Sequence, residues 1–507
     1  MVGLNGSGRR SGTKRDPIRR EGRTAPAATA AFWALLVLAL AGCDLDKESL
    51  DSGIATPTRF QAVGGGGRVA LQRELDDWPA RFGSKELTHL VAQAQSQNLD
   101  IAAAVARIAE AEAQARVAAA TLYPTVAAGG AGGQALIPGV SKAFSPPYRS
   151  QRTNAFGLNL NASYEIDFWN KNHDAAASGL LSAQASVFDR DVVALSTTAS
   201  VVNLYFQLLA AQDRLRVAHQ NVALAEHVLR AIVARRAVGT SSALDEAQQT
   251  TIVAQQRANV PPLEQIELQD RNLLAVLLGR TPESVSIKGG SLERLTDPAV
   301  RAGLPSKLLL RRPDVAEAED RLAAQGLQVS VARAAFFPDV TLTGQYGILS
   351  AVFKNLFTPQ AAAYSFAANL AQPIFNGGAL QGQLDLQKGK FDELLADYRK
   401  TILTSFSDVE NGLIAVAKTA EQLRLQTLAV KSAQRAYEDA FLQLQTGTMD
   451  IVTLAVIQNT LFQAEDLLVQ VRSAHFQATT TLYQALGGGW TRPPEALLAA
   501  TAGQAAP

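Results

Sequence analysis

Cys43 is the only thiol in the 507-residue chain. It follows Leu40-Ala41-Gly42 at the end of the apolar run "AAFWALLVLALAG". A basic stretch precedes that run, and the run is too short to span a bilayer permanently, so residues 1–42 read as an export signal. A thiol placed here can be alkylated by diacylglycerol before cleavage leaves it as the new N-terminus, the arrangement of a bacterial lipoprotein box. With no second cysteine there is no disulfide to form; the other reading is a buried cysteine inside an uncleaved anchor. Asp44 pulls the other way, because an aspartate after the lipidated cysteine tends, in enteric bacteria, to hold a lipoprotein in the inner membrane. The remaining chemistry is sparse. His89, His173, His219, His227 and His475 show no metal-ligand spacing with a second His or Cys. Gly64–Gly67 is followed by no helix-borne lysine of a phosphate loop. No elbow presents a serine nucleophile. These residues point away from an enzyme and call for no cofactor and no metal, so any energy the protein uses must come from a partner.

Lys and Arg total 47 against 46 Asp and Glu, which gives no reason to expect a nucleic-acid partner. Seven of the basic residues (Arg9, Arg10, Lys14, Arg15, Arg19, Arg20 and Arg23) fall in the leader with only Asp16 and Glu21, so the chain beyond it is mildly acidic. Hydrophobic residues make up 47% of the chain and charged residues 18%, which excludes a disordered polymer.

The elements that must carry function repeat themselves. "RVAAATLYPTVAAGG" with Pro124 and "VARAAFFPDVTLTGQYG" with Pro338 share the order helix, aromatic, proline, extended strand. "DRLR" at 213–216 pairs with "EQLR" at 421–424, "AVGT" at 237–240 with "QTGT" at 445–448, and "LLG" at 277–279 with "ALG" at 485–487, each 208 residues apart. A constant offset in constant order means an internal duplication. Proline marks each change from helix to strand because it cannot continue a helix and favours extended backbone before it.

Within "AFGLNLNASYEID" every second residue is apolar (Phe156, Leu158, Leu160, Ala162, Tyr164, Ile166), and Gly157, Asn159, Asn161, Ser163, Glu165 and Asp167 alternate with them. The same alternation returns in 338–348 and 362–374, and more weakly in the glycine-rich 122–134. Each stretch is about long enough to cross a membrane as a tilted strand of roughly 9–11 residues. Tyr123, Tyr164, Trp169, Phe336, Phe337 and Phe375 sit near strand ends, where an aromatic girdle belongs. Four strands cannot close a membrane barrel, whose smallest form has eight, and lipid tolerates no open edge. Two or three chains would therefore have to share one barrel, with Phe156, Leu158, Leu160 and Tyr164 facing lipid. A soluble sandwich with one wet face is the competing reading. Between the strands, residues 170–237 and 376–446 contain no proline and predict helices of about 100 Å each. Such lengths belong to a coiled coil or a helical tube.

Taken together, "LLLRRPDVAEAEDRLAAQGLQVSVARAAFFPDVTLTG" (308–344), "YEIDFWNKN" (164–172), "VPPLEQIELQDRNLLAVLLGRTPE" (260–283), "QPIFNGGAL" (372–380) and "LGGGW" (486–490) resemble the TolC-like outer membrane efflux proteins, in the lipoprotein branch that serves resistance–nodulation–division pumps. The resemblance covers about residues 70–490. It implies a mixed fold of α-helices and transmembrane β-strands: a homotrimer with a 12-stranded β-barrel in the outer membrane, a long periplasmic α-helical barrel and an equatorial domain. It also implies a periplasmic adaptor and an inner-membrane pump as partners. The resulting division is an N-terminal equatorial segment at 43–85, a first repeat at 86–290 (strands 122–134 and 154–168, helices 170–237 and 243–278), a second repeat at 291–490 (strands 338–348 and 362–374, helices 376–446 and 450–486) and a tail at 491–507. The expected function is an export duct for drugs or other small molecules. A type I protein secretion duct and a lipid-anchored periplasmic scaffold without a pore are the alternatives.

In that family the helical tips "AVGTSSALDEAQ" and "QTGTMDIVTLAVIQ" close the periplasmic entrance and dock the adaptor. The matching residues here are Arg235, Arg236, Gly239, Asp245, Glu246, Gly447, Met449, Asp450, Thr453 and Val456. Many members carry a carboxylate where this chain has Val456, and some carry another at Thr453, so an acidic ring is either missing here or moved to Asp450. Gly239 and Gly447 read as turn glycines that permit positive φ. In "RRPDV", Pro313 suits the first helical position and Asp314 the positive end of the helix dipole, a structural pairing.

Overall fold

The computed structural model describes residues 48–61, 75–137, 151–300 and 303–493. The leader, Cys43, Asp44, Gly64–Gly67 and the tail beyond residue 493 lie outside the described residues. After a short 3₁₀ turn, Trp78–Phe82, the chain forms α1 (Lys85–Gln97) and α2 (Leu99–Ala119), then strands β1 (Thr125–Ile137) and β2 (Gln151–Ile166). Next come α3 (Lys171–Ala237), α4 (Ala243–Ala258) and α5 (Val260–Leu277). The second half runs through α6 (Pro313–Ala334), β3 (Asp339–Ser350), β4 (Ala362–Ala371), α7 (Ala379–Thr446) and α8 (Ile451–Ala485). The duplication is visible in the two long helices, of 67 and 68 residues.

One sequence expectation needs correction. The helix read across 243–278 is broken at Asn259 into α4 and α5. Pro261 and Pro262 supply no N–H to the preceding turn and their rings crowd its carbonyls, so the ladder cannot run through. β1 and β2 extend further toward their connecting loop than the alternation suggested, to Ile137 and back to Gln151.

The four strands form one antiparallel sheet in the order β1-β2-β3-β4. Directly opposed residues share a face, so the register shows what the sheet presents. Val126–Ala162–Gly344–Phe366 and Ala128–Leu160–Tyr346–Tyr364 run straight across it, as do Leu158–Ile348 and Tyr164–Leu342. The neighbouring rows are Ala127–Asn161–Gln345–Ser365 and Thr125–Ser163–Thr343–Ala367. One face is apolar and the other carries amides and hydroxyls. β1 and β4 are the edges, and among the described residues neither pairs with a further strand.

The main core lies midway along the helices and joins the two repeats. Phe82 meets Phe206 of α3 edge-on at 4.9 Å, and Trp78 stacks on Tyr483 of α8 at 5.3 Å. Leu87, Leu90, Leu208, Leu274 and Leu482 close around these rings. Small residues bring the helices close: at Gly412 on α7, a Cβ would stand 3.2 Å from the Cα of Leu482 on α8. Among the described residues, α3 alone is long and apolar enough to cross a membrane, yet over half of its most apolar stretch is buried inside the protein. Its apolarity supplies this core.

Two polar devices clamp the helices, one between the repeats and one within the second. Asp213, 1% exposed, accepts hydrogen bonds from the Leu292 N–H (3.0 Å) and the Ser291 hydroxyl (3.1 Å) and pairs with Arg216, pinning the segment after α5 onto α3. Arg312, just before Pro313 at the start of α6, bonds Asp314, Asp408 on α7 and the carbonyl of Ala485. Burial works against its charge, but the two carboxylates outweigh it and raise its pKa above the ordinary arginine value.

Candidate functional site

The sequence marks two surfaces as functional, the apolar sheet face and the helical tips. On the sheet, Leu158 and Leu160 are about half exposed, and Tyr364, Phe366 and Leu370 are more than 70% exposed. Phe156 packs edge-on against Phe353 of the β3–β4 loop. No helix of the described chain covers this face. On the opposite face Asn159 donates to Asn161 (3.0 Å), while Gln134 donates to Asn154 (2.9 Å) at the loop end of the apolar face, one pair beyond Gly132–Phe156. At the foot of the sheet Lys171 reaches Glu165 (2.6 Å) and Asp339 (2.9 Å) and so fastens β2, β3 and α3 to one another. Burial alone would lower the Lys171 pKa; the hydrogen bonds and charges of its two carboxylates raise it. Trp169 stacks on Phe337 at 4.6 Å and donates to the Pro338 carbonyl. The sequence signalled these two rings as girdle aromatics. Nothing in it signalled Lys171, one of whose partners, Asp339, lies on a strand of the other repeat.

At the tips the two hairpins turn in the same way. Gly239 (φ 77°) and Gly447 (φ 78°) both take the left-handed conformation. Their N–H groups donate to Arg236 and Leu444, and those of Thr240 and Thr448 donate to Arg235 and Gln443. The next helix in each hairpin begins with a side-chain cap, and the two caps are chemically reversed. Ser242 caps α4 while Asp245 accepts from the Ser242 N–H (2.7 Å), a reciprocal capping box. At the positions 208 residues later, Asp450 caps α8 by accepting from the Thr453 N–H (2.9 Å) and its hydroxyl (2.7 Å). Hydrogen bonds from the Ser242 backbone and Ser241 hold the Asp245 carboxyl below its usual range, and those from Thr453 do the same for Asp450.

The remaining tip charges are also paired within the chain. Arg236 binds Glu246, and Arg235 donates to the Leu444 carbonyl at the end of α7, which links the two hairpins. Beneath this link Val228 and Ile232 of α3 pack with Tyr437, Leu444, Ile451 and Leu454, and Met449 lies against the same cluster. Buried Gln249 donates to the Ala225 carbonyl (3.0 Å) beside buried Gln458. Val452 and Val456 remain bare, at 57% and 62% exposure. Among the described residues no group of three or more His, Cys, Asp or Glu side chains could hold a metal ion.

A family model described as outer membrane efflux protein matches residues 90–280 and 304–488, one segment for each repeat. The chain belongs to the outer membrane efflux protein family. The pyoverdine export outer membrane protein OpmQ of Pseudomonas aeruginosa is 38% identical over 89% of this chain and 95% of its own length. The toluene efflux pump outer membrane protein TtgC of Pseudomonas putida is 32% identical over 82% of this chain and 85% of its own. The solved outer-membrane channel OprN superposes with a TM-score of 0.79 at 26% identity, covering 89% of this chain and 99% of that one. As a member of the family, this protein is a non-enzymatic outer membrane channel of an efflux pump.

Proposed function

We propose that three copies of the chain close a twelve-stranded barrel, continue it below the membrane as a helical tube, and pass small organic molecules delivered by an inner-membrane pump through a periplasmic adaptor docked at the helical tips. The carrying observation is the sheet. It has one apolar face over four strands and two edges that meet no further strand among the described residues. In lipid each unpaired backbone group costs several kcal/mol, so the edges must meet those of neighbouring chains. Closure places the apolar face against lipid and the amide face around water. The relatives named for pyoverdine and toluene export favour small molecules over secreted proteins as cargo.

The lipid anchor at Cys43 belongs to the same reading. Glu48 pairs with Arg333 (2.6 Å) in the last turn of α6, six residues before β3 begins. The barrel then fixes the destination that Asp44 alone would oppose.

Native mass spectrometry of the detergent-extracted protein tests the assembly. Chains of 53.8 kDa less the leader give about 150 kDa for a closed trimer with three acyl groups. An acylated monomer would leave the sheet edges open and overturn the duct.

A further inference from the structure

The tips raise a question that the reading above, on which this inference rests, leaves open: what holds the periplasmic end shut. Three copies of a hairpin brought to one axis repeat every group three times around a narrow ring. Repeated charges repel and keep their water, whereas repeated apolar groups do neither. The two hairpins differ sharply on this count. The first bears Arg235, Arg236, Asp245 and Glu246 around its turn. In the second, from Ala440 to Ala464, the only charged residue is Asp450. That carboxylate is spent as the α8 cap, with both oxygens engaged by Thr453.

What the second hairpin does present is a ridge along α8. Ile451, Leu454, Gln458 and Leu461 turn inward and are buried. Val452, Val456 and Thr460, spaced by four on the opposite face, are exposed. No described residue covers the two valines.

We infer that the closed entrance is an apolar constriction made by Val452 and Val456 of three chains, which bars ions by excluding water and not by a ring of titratable groups. The occupant of the exposed ridge is therefore the same ridge on two further copies of this chain. The open sheet edges require those copies beside it. Such a closure is released by movement of the tips alone and needs no change of protonation or loss of a bound cation.

The test is single-channel conductance of the full-length protein in planar bilayers, on samples first shown to be trimers by native mass spectrometry. Val452→Thr/Val456→Thr keeps side-chain shape and adds a hydroxyl; it should raise conductance several-fold. Val452→Leu/Val456→Leu should hold the channel at or below the parent level. Parent conductance should stay flat from pH 7 to pH 4 and on adding millimolar calcium. A trimer whose conductance ignores the threonine pair, or rises several-fold in Asp450→Asn, or titrates with pH or calcium, would overturn the apolar closure and leave the duct standing. Absence of a trimer in the parent would overturn the duct itself.

Discussion

At the scale of single residues, glycines of equal backbone strain carry unequal burdens. Gly239 has φ 77° and open space where a Cβ would stand. Gly487, in the "LGGGW" stretch, has φ 87°, and its Cβ would lie 1.9 Å from the Arg311 carbonyl oxygen. Gly239→Ala therefore meets only the left-handed backbone, about 1 kcal/mol, whereas Gly487→Ala adds a clash with main chain that cannot retreat. The expected result on heat-stability gels of extracted protein is a small shift for the first and loss of the folded species for the second. Asp270 tests burial by charge. It is 8% exposed and its Oδ2 has no partner among the described residues, and burial pushes its pKa up to about 6. The folded chain thus binds this proton more tightly than the unfolded chain. The stability linked to it is full below about pH 4 and is lost as pH rises through about 6. Asp270→Asn should stabilise the protein at pH 7 by about 1–2 kcal/mol and shrink the gain that the parent shows on acidification to pH 5. Thermal melts at the two pH values check this, and an unchanged difference between them would refute it.

At the scale of elements, the strands make the sharpest claim. Leu160 lies in the row with Ala128, Tyr346 and Tyr364, and Asn161 in the row with Ala127, Gln345 and Ser365. Leu160→Arg should cost about 2–4 kcal/mol near the membrane middle and block insertion, while Asn161→Arg should assemble and alter conductance. Equal tolerance in a membrane-fraction assay would argue against lipid on the apolar face. These rows could be anticipated because a period of two survives in any register, and the long helices because proline is absent over some seventy residues. The helix break at Asn259 was open to the same logic through "VPP". The clamps were not legible. Arg312 meets Asp408 across 96 residues, and Asp213 meets Leu292 across 79, with no periodicity to announce either. At the tips the candidates lie in and beside the two glycine turns. Their chemistry emerged only with the hydrogen bonds that commit Asp245 and Asp450 to capping and leave Val456 uncovered.

At the scale of the whole molecule, the open edges set a counting problem that one experiment resolves. β1 and β4 each end the sheet, so any closed barrel must pair β4 of one chain with β1 of the next. Ala127 and Ala131 alternate with Gly129 on the amide face of β1, and Ala363 and Ala367 stand on the same face of β4. With Cys43 acylated as proposed, cysteines paired between these two sets become the reactive thiols of the assembled protein. A ladder between chains whose register opposes the two sets brings such a pair within roughly 4–5.5 Å. Oxidation of that double variant in outer membranes should give covalent dimers and trimers on denaturing gels and nothing larger, because a closed ring has no free edge left. Two chains sharing an eight-stranded barrel would stop at the dimer. A ladder of higher species would mean that the edges add without closing, a heterologous contact that builds fibres and not pores.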